Sequence, residues 1–291
     1  MALPLFRILP LRPPKAPRLP AAPVEYERGY VDTLTSILRQ YFNEIDNFAQ
    51  PFTDSYGGAY LRFPNGAFHQ DGTTTLTAAM TNVSTTPIQV VSTVGFPSSG
   101  SLRIGNELVN FTGKTSTTFT GITRGAYTST NTSHAIGANV SEALGVSGAL
   151  SSRSVPFTAT DTSNGVALNS VDTSHIDFSI AGYYNIQFSA QLYNNTTIED
   201  NVTFWFKKDG VDIPNSAGVT TVPKSTGSNT GAVIISWNIV VDVLAGGYIE
   251  LYFASDTGNT VIVTYPAGTS PVHPVSPSVI LTATFVSALY T

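Results

Sequence analysis

Over residues 155–291 the apolar positions recur with a period of two. Tyr184, Ile186, Phe188, Ala190 and Leu192 alternate with Asn185, Gln187, Ser189 and Gln191. Successive side chains of a strand point to opposite faces, so this pattern predicts one face in a core and the other in water. The same alternation runs through Val202/Phe204/Phe206, Val233/Ile235/Trp237/Ile239/Val241/Val243, Ile249/Leu251/Phe253, Val261/Val263/Tyr265 and Val279/Leu281/Ala283/Phe285. Separated by turn residues, these runs predict an antiparallel sandwich.

Upstream the pattern changes twice. Between residues 25 and 50, Tyr30, Leu34, Ile37, Tyr41, Ile45 and Phe48 fall three and four apart, which predicts an amphipathic helix that Pro51 ends. Val31, Leu38 and Phe42 widen its apolar stripe beyond a two-stranded seam. Such a stripe needs partners on more than one side, so self-association as a trimerising helix is expected, with docking on the rest of its own chain as the alternative. From 73 to 143 short apolar runs at 88–91, 102–104 and 108–111, separated by turn signals, predict a small β barrel or sandwich module. Residues 51–72, rich in Gly and aromatics, read as a connector, and the Gly/Ser/Ala-rich residues 144–154 as a linker.

Composition adds a further segment. Residues 1–24 hold seven of the chain's 18 prolines, together with Arg7, Arg12, Lys15 and Arg18 and no acidic residue. Proline fixes φ and removes a donor, so this stretch is expected to be an extended arm that anchors the chain to a larger particle through its basic residues. The whole chain is 11% charged with a net charge of −5, which leaves no cationic field for a nucleic-acid backbone. Cysteine is absent, which excludes disulfides, thiolate metal sites and cysteine nucleophiles. Prolines 4, 10, 13 and 14 interrupt the apolar N-terminus before a signal core or membrane span could form, so no membrane insertion and synthesis in a cytoplasm are expected.

Four large aromatics occupy positions that alternation assigns to the wet face: Tyr183, Trp205, Tyr248 and Tyr252. Aromatic side chains placed there commonly mark an interface, and a subunit contact is the expectation.

Residues 155–286 resemble the C1q/TNF-like jelly-roll domains at the C-termini of many phage virion proteins. The resemblance is carried by 180–191 (IAGYYNIQFSAQ), 205–216 (WFKKDGVDIPNS), 244–251 (LAGGYIEL) and 277–282 (PSVILT). Gly246-Gly247-Tyr248 departs from the pattern, in which an Asp often stands between Gly and Tyr. Residues 73–140 are similar to a small β module recurrent in phage virion and tail proteins, through Gly95-Phe96-Pro97, 104–107 (IGNE), 111–121 (FTGKTSTTFTG) and 123–125 (TRG). The helix start at 25–49 is similar to N-terminal segments of marine, cyanophage-type virion proteins. What these resemblances imply is a homotrimer without a catalytic signature.

Candidate chemistry is sparse. His69, His134, His175 and His273 are dispersed, and His69-x-Asp71 and His175-x-Asp177 lack a third ligand at metal-site spacing. Gly145-Val146-Ser147-Gly148-Ala149 lacks the last glycine of a nucleophile elbow. Glu199 and Asp200 are adjacent acids on an expected turn, pointing in different directions and read as solvated, and loops with Asp161, Asn164, Asp256 and Asn259 could hold calcium but need no ion. No catalytic residue, metal or cofactor is therefore assigned. The expectation is a mainly β, trimeric structural protein of a phage virion, a fibre-like appendage with a C-terminal knob for host attachment. Its partners would be tail or capsid proteins at the arm and a host-surface glycan or protein at the knob. A capsid decoration without a receptor role is the alternative, and a glycan-degrading tail spike a more distant one, since neither repeated β-helix coils nor a carboxylate-lined cleft is evident.

Overall fold

The computed structural model describes residues 17–20, 28–53, 63–226 and 229–289, with the backbone alone over 46–53. Arg7, Arg12, Lys15 and the Phe48 side chain lie outside the described residues, and Arg18 is exposed. The chain divides into two units, Met1–Phe63 and Pro64–Thr291.

The first unit contains one helix, Arg28–Thr53. It runs through Pro51 instead of stopping before it, which costs one backbone donor in the last turn only. The 3.6-residue period is real: Tyr30, Leu34, Ile37, Tyr41 and Ile45 are all half-buried while Asp32, Ser36, Arg39 and Asn43 are exposed. No described side chain of this helix is buried, and Phe42 is 57% exposed.

The second unit is mainly β and every ladder among its described strands is antiparallel. A ten-stranded and a seven-stranded sheet carry the structure. The strand Gly182–Asn194 is the axis of the larger sheet: it pairs along its whole length with Gly231–Val243 on one side, and with Val279–Ser287 and Val261–Val263 on the other. The smaller sheet is centred on Asp200–Lys208 and Tyr248–Ser255. Between them lies a core of Tyr184, Ile186, Phe188, Phe204, Phe206, Leu251, Phe253 and Leu281, as the alternation requires.

Three boundaries differ from the sequence expectation. Part of the 51–72 connector is a strand, Asn65–Gln70, paired with Ala159–Asn164, and its Phe68 is fully buried in the main core. Residues 144–154 are not a linker. Leu144 and Val146 belong to that same core, and Ser151–Ser154 pairs with Tyr248–Ser255. Gly145 serves close approach: a Cβ there would collide with the Tyr127 ring. Residues 73–143 do have a core of their own, which includes Leu76, Ile88, Val90, Leu102, Ile104, Phe111, Phe119 and Val140, but the strand Asn139–Gly145 pairs with both Gly100–Ile104 and Val261–Val263 and so carries the larger sheet on into the C-terminal half. Ile262 enters the main core, while Val261 and Val263 face the opposite way onto Leu108, Ala143 and Tyr193. A strand covered on both faces reads as a continuous apolar run, Val261-Ile262-Val263, and here alternation misassigned its core face.

Candidate functional site

The strand Gly231–Val243 departs most from its predicted environment. Alternation assigns Val233, Ile235, Trp237 and Ile239 to the core, but Val233, Ile235 and Ile239 are only half-buried and Trp237 is 43% exposed. The physical reason is its position: it pairs with Gly182–Asn194 alone and so forms an edge, where Val241 and Val243 enter the main core but Val233, Ile235 and Ile239 pack only on its margin. Trp237 rests against Gly218, at the margin of that sheet. On the other face Ile234 and Val240 are 68% and 61% exposed.

Natural edge strands are usually blunted by lysines, prolines, bulges or short length, because their free N–H and C=O groups recruit further strands. This one spans 13 residues, and its pairing runs without a register shift from Asn194↔Gly231 to Gly182↔Val243. Its one charged residue, Asp242, is held by Lys208, whose Nζ lies 3.0 Å from Oδ2. An edge of this length, free of charge from Gly231 to Val241 and with Ile234 and Val240 exposed on it, is a surface suited to protein association.

The four aromatics expected at a subunit contact are distributed differently. Tyr183 is exposed on the larger sheet. Trp205 and Tyr252 are cross-strand partners on the smaller one, with ring centroids 5.6 Å apart. The Trp205 indole N–H donates to Asp212 at 2.8 Å, and Lys207 sits 4.3 Å from the centre of the Tyr252 ring. Tyr248 stacks flat on His175, centroids 3.8 Å apart. Three of the four are therefore half-buried within their own chain, whereas Ile234 and Val240 are more than half exposed on one face of the edge strand; that edge position, which alternation does not encode, is the reason the sequence did not single them out.

Ionisable groups are mostly engaged in fixing loops. Glu107 is buried and grips Arg124, which donates Nη2 to Oε2 at 2.7 Å and also reaches the carbonyls of Thr81, Ser84 and Thr132. His134 Nε2 lies 2.8 Å from the same carboxylate, and the Thr132 amide donates to it. Burial would raise the Glu107 carboxyl, but the hydrogen bonds from Arg124, Thr132 and His134 outweigh it and hold the group below its ordinary value. Asp200 is buried, not solvated, and accepts from Ser255 Oγ at 2.6 Å and from the amides of Thr257 and Thr260. There too burial raises the carboxyl and the donors from Ser255, Thr260 and Thr257 more than offset it. The Asp200 hub fixes the 255–260 turn, a contact that no local motif announces.

His69 gains a third group: Asp161 Oδ2 lies 3.0 Å from Nδ1 and Asp71 Oδ2 3.4 Å from Nε2. The two carboxylates occupy opposite edges of the ring and so cannot share one ion with it. Asp256 and Asn259, expected as alternatives for calcium, receive hydrogen bonds from Asn201 and Thr128. No group of three or more His, Asp or Glu among the described residues is placed to hold a metal, and none of the described helices is long and apolar enough to cross a membrane. Ser147 faces Ser151, 3.2 Å between hydroxyls, not an imidazole.

No protein-family model matches the chain, and no curated protein is similar to it.

Proposed function

We propose that the chain is a non-enzymatic structural component of a phage virion: a trimeric, fibre-like appendage, anchored by its N-terminal arm and displaying residues 155–291 as a C1q/TNF-like jelly-roll knob for attachment to the host surface. The observation that carries the assembly part of this reading is the exposed edge Gly231–Val243, with Ile234 and Val240 turned outward on one face and Trp237 43% exposed on the other. A strand that is neutral from Gly231 to Val241 offers nothing to a charged partner and does not repel a second copy of itself. The half-buried stripe of the Arg28–Thr53 helix is a second surface of the same kind in the other unit. Engagement of Glu107, Asp200 and His69 in loop-fixing bonds supports a scaffold over an enzyme. The virion attribution rests on the resemblances of residues 73–140 and 155–286.

Imaging of particles labelled on the C-terminal portion tests the placement. Label at the tail is the expected result, label on the capsid would make the protein a head decoration, and no label on particles would refute the virion role. Removal of residues 1–24 is expected to leave folded oligomers that no longer incorporate. Release of oligosaccharides from host polysaccharide by the purified protein would overturn the non-enzymatic reading.

A further inference from the structure

Two open depressions on the β unit, of about 430 Å3 and 540 Å3, share Tyr265 and His273 and so form one continuous furrow. Each is within the size range of small-ligand sites, roughly 300–1,000 Å3. Its walls come from distant parts of the sequence. Arg103 and Asn139 contribute from the N-terminal half, Gln191 from the axial strand, and Tyr265, His273 and Ser276 from the C-terminal region; Ile234 of the edge strand lines the 430 Å3 end, which therefore adjoins the proposed association edge, whereas Arg103 lies at the 540 Å3 end.

Arg103 is the distinctive group. Its guanidinium carbon lies 4.2 Å from the centre of the Tyr193 ring and 5.0 Å from that of Tyr265, and Nε donates to the Gly105 carbonyl at 2.9 Å. These contacts hold the cation in place. Arg124 has Glu107, Lys207 has Asp212 and Lys208 has Asp242, whereas Arg153 donates to the carbonyl of Gly145 and Lys114 to those of Thr93 and Phe96, and neither of these two lines the furrow. Among the described residues no carboxylate is in ion-pairing range of Arg103, and neither Asp nor Glu lines the furrow. His273 is carried on the short hairpin of Gly268–Thr269 and Val272–His273, where the imidazole lies in space that a side chain at position 268 would fill. Its Nδ1 donates to the Pro274 carbonyl at 2.8 Å, which orients the ring.

An oriented guanidinium without an internal anion, beside a phenol ring and a rim of amide, hydroxyl and imidazole groups, has the chemistry of a site for a carboxylated sugar. The carboxylate takes the guanidinium fork, the C–H face of the pyranose covers Tyr265, and ring hydroxyls meet Asn139, Gln191 and Ser276. An open furrow also admits a polymer, which an enclosed cavity would not. We propose that this furrow binds a carboxylated saccharide of the kind found in surface polysaccharides. The inference deepens the adhesive role proposed above and rests on it only for where the sugar is met; copies of the furrow in one oligomer would add avidity to weak single contacts.

The test is calorimetric titration of the purified full-length protein with tri-galacturonate and 3′-sialyllactose, against the neutral maltotriose and lactose. Binding of at least one acidic probe, tenfold or more tighter than its neutral counterpart, is expected. Arg103→Gln should weaken it about tenfold, in line with loss of one charge-assisted pair. Because that change also loosens the packing on Tyr193 and Tyr265, Thr269→Trp, on the exposed hairpin, serves as a second variant that blocks the furrow without touching the core. Absence of binding by both acidic probes, or binding unaffected by either substitution, would overturn the site. Either failure leaves the virion placement to the labelled particles, so the two proposals fall separately.

Discussion

Leu144 and Ile262 stand opposite each other in an antiparallel ladder and both side chains enter the core that contains Phe188 and Leu251. This pairing joins the 73–143 region to the C-terminal sandwich by backbone hydrogen bonds and by packing at once. The two regions are therefore expected to unfold together. Differential scanning calorimetry of residues 64–291 should show one transition, and Leu144→Ala should lower stability by about 2–5 kcal/mol, the usual cost of truncating a buried leucine. Two resolved transitions, with Leu144→Ala moving only one of them, would mean that the regions are independent.

Arg124 and Glu107 form a buried pair, with side chains 3% and 0% exposed. Removing one partner leaves an uncompensated charge in the interior, so Arg124→Ala is expected to cost about 3–5 kcal/mol in urea denaturation. The double change Arg124→Met with Glu107→Gln should cost less than Arg124→Ala alone. Equal losses would show that the carbonyls of Thr81, Ser84 and Thr132, and not the carboxylate, account for the effect.

Stability should fall on both sides of mildly acidic pH, for opposite reasons. Glu107 and Asp200 sit below their ordinary values of 4.5 and 3.8, so the stability they contribute is present above those values and is lost as pH falls through the folded ones. Glu142 behaves inversely. Burial pushes it up to about 8 from an ordinary 4.5; the Gly72 amide opposes this, Asp71 adds a smaller upward push, and Lys114 opposes least. Its Oε2 has no hydrogen-bond partner. Between 4.5 and about 8 the folded chain keeps a proton that the unfolded chain has released, so stability declines as pH rises across that window. Glu142→Gln should therefore stabilise by about 2–4 kcal/mol at pH 8 and by almost nothing at pH 4. Denaturation midpoints at the two pH values check this, and an equal gain at both would exclude ionisation as the cause.

Oligomerisation should depend on the edge strand more than on the aromatic pair of the smaller sheet. Ile234→Lys with Val240→Lys puts two charges on an exposed edge without disturbing the core, and sedimentation velocity should then report smaller species at unchanged melting temperature. Trp205→Ser with Tyr252→Ser should instead lower stability by about 1–3 kcal/mol, through loss of the Asp212 hydrogen bond and the ring contact, and leave the oligomer intact. Dissociation by the second pair and not the first would return the interface to the aromatics.

The sequence by itself determined the elements and most of their faces. The period of two placed Tyr184, Ile186, Phe188, Phe204, Leu251 and Leu281 in one core, and the 3.6-residue period placed Tyr30, Leu34, Ile37, Tyr41 and Ile45 on one stripe. Both are local properties, since a strand or helix shows its sides through the order of its own residues. What only the tertiary structure decided was which strand lies beside which. Glycine and serine around residue 148 read as a linker because local composition cannot reveal that Ser151–Ser154 has a ladder partner almost 100 residues away, at Tyr248–Ser255. For the same reason Trp237 read as core: alternation reports a face, but burial needs a second sheet over the whole of that face, and at this edge the smaller sheet reaches Trp237 only with its margin at Gly218. Arg103, Asn139, Tyr265 and His273 carry no common motif, because the furrow exists only where Asn139–Gly145 brings the two halves into one sheet.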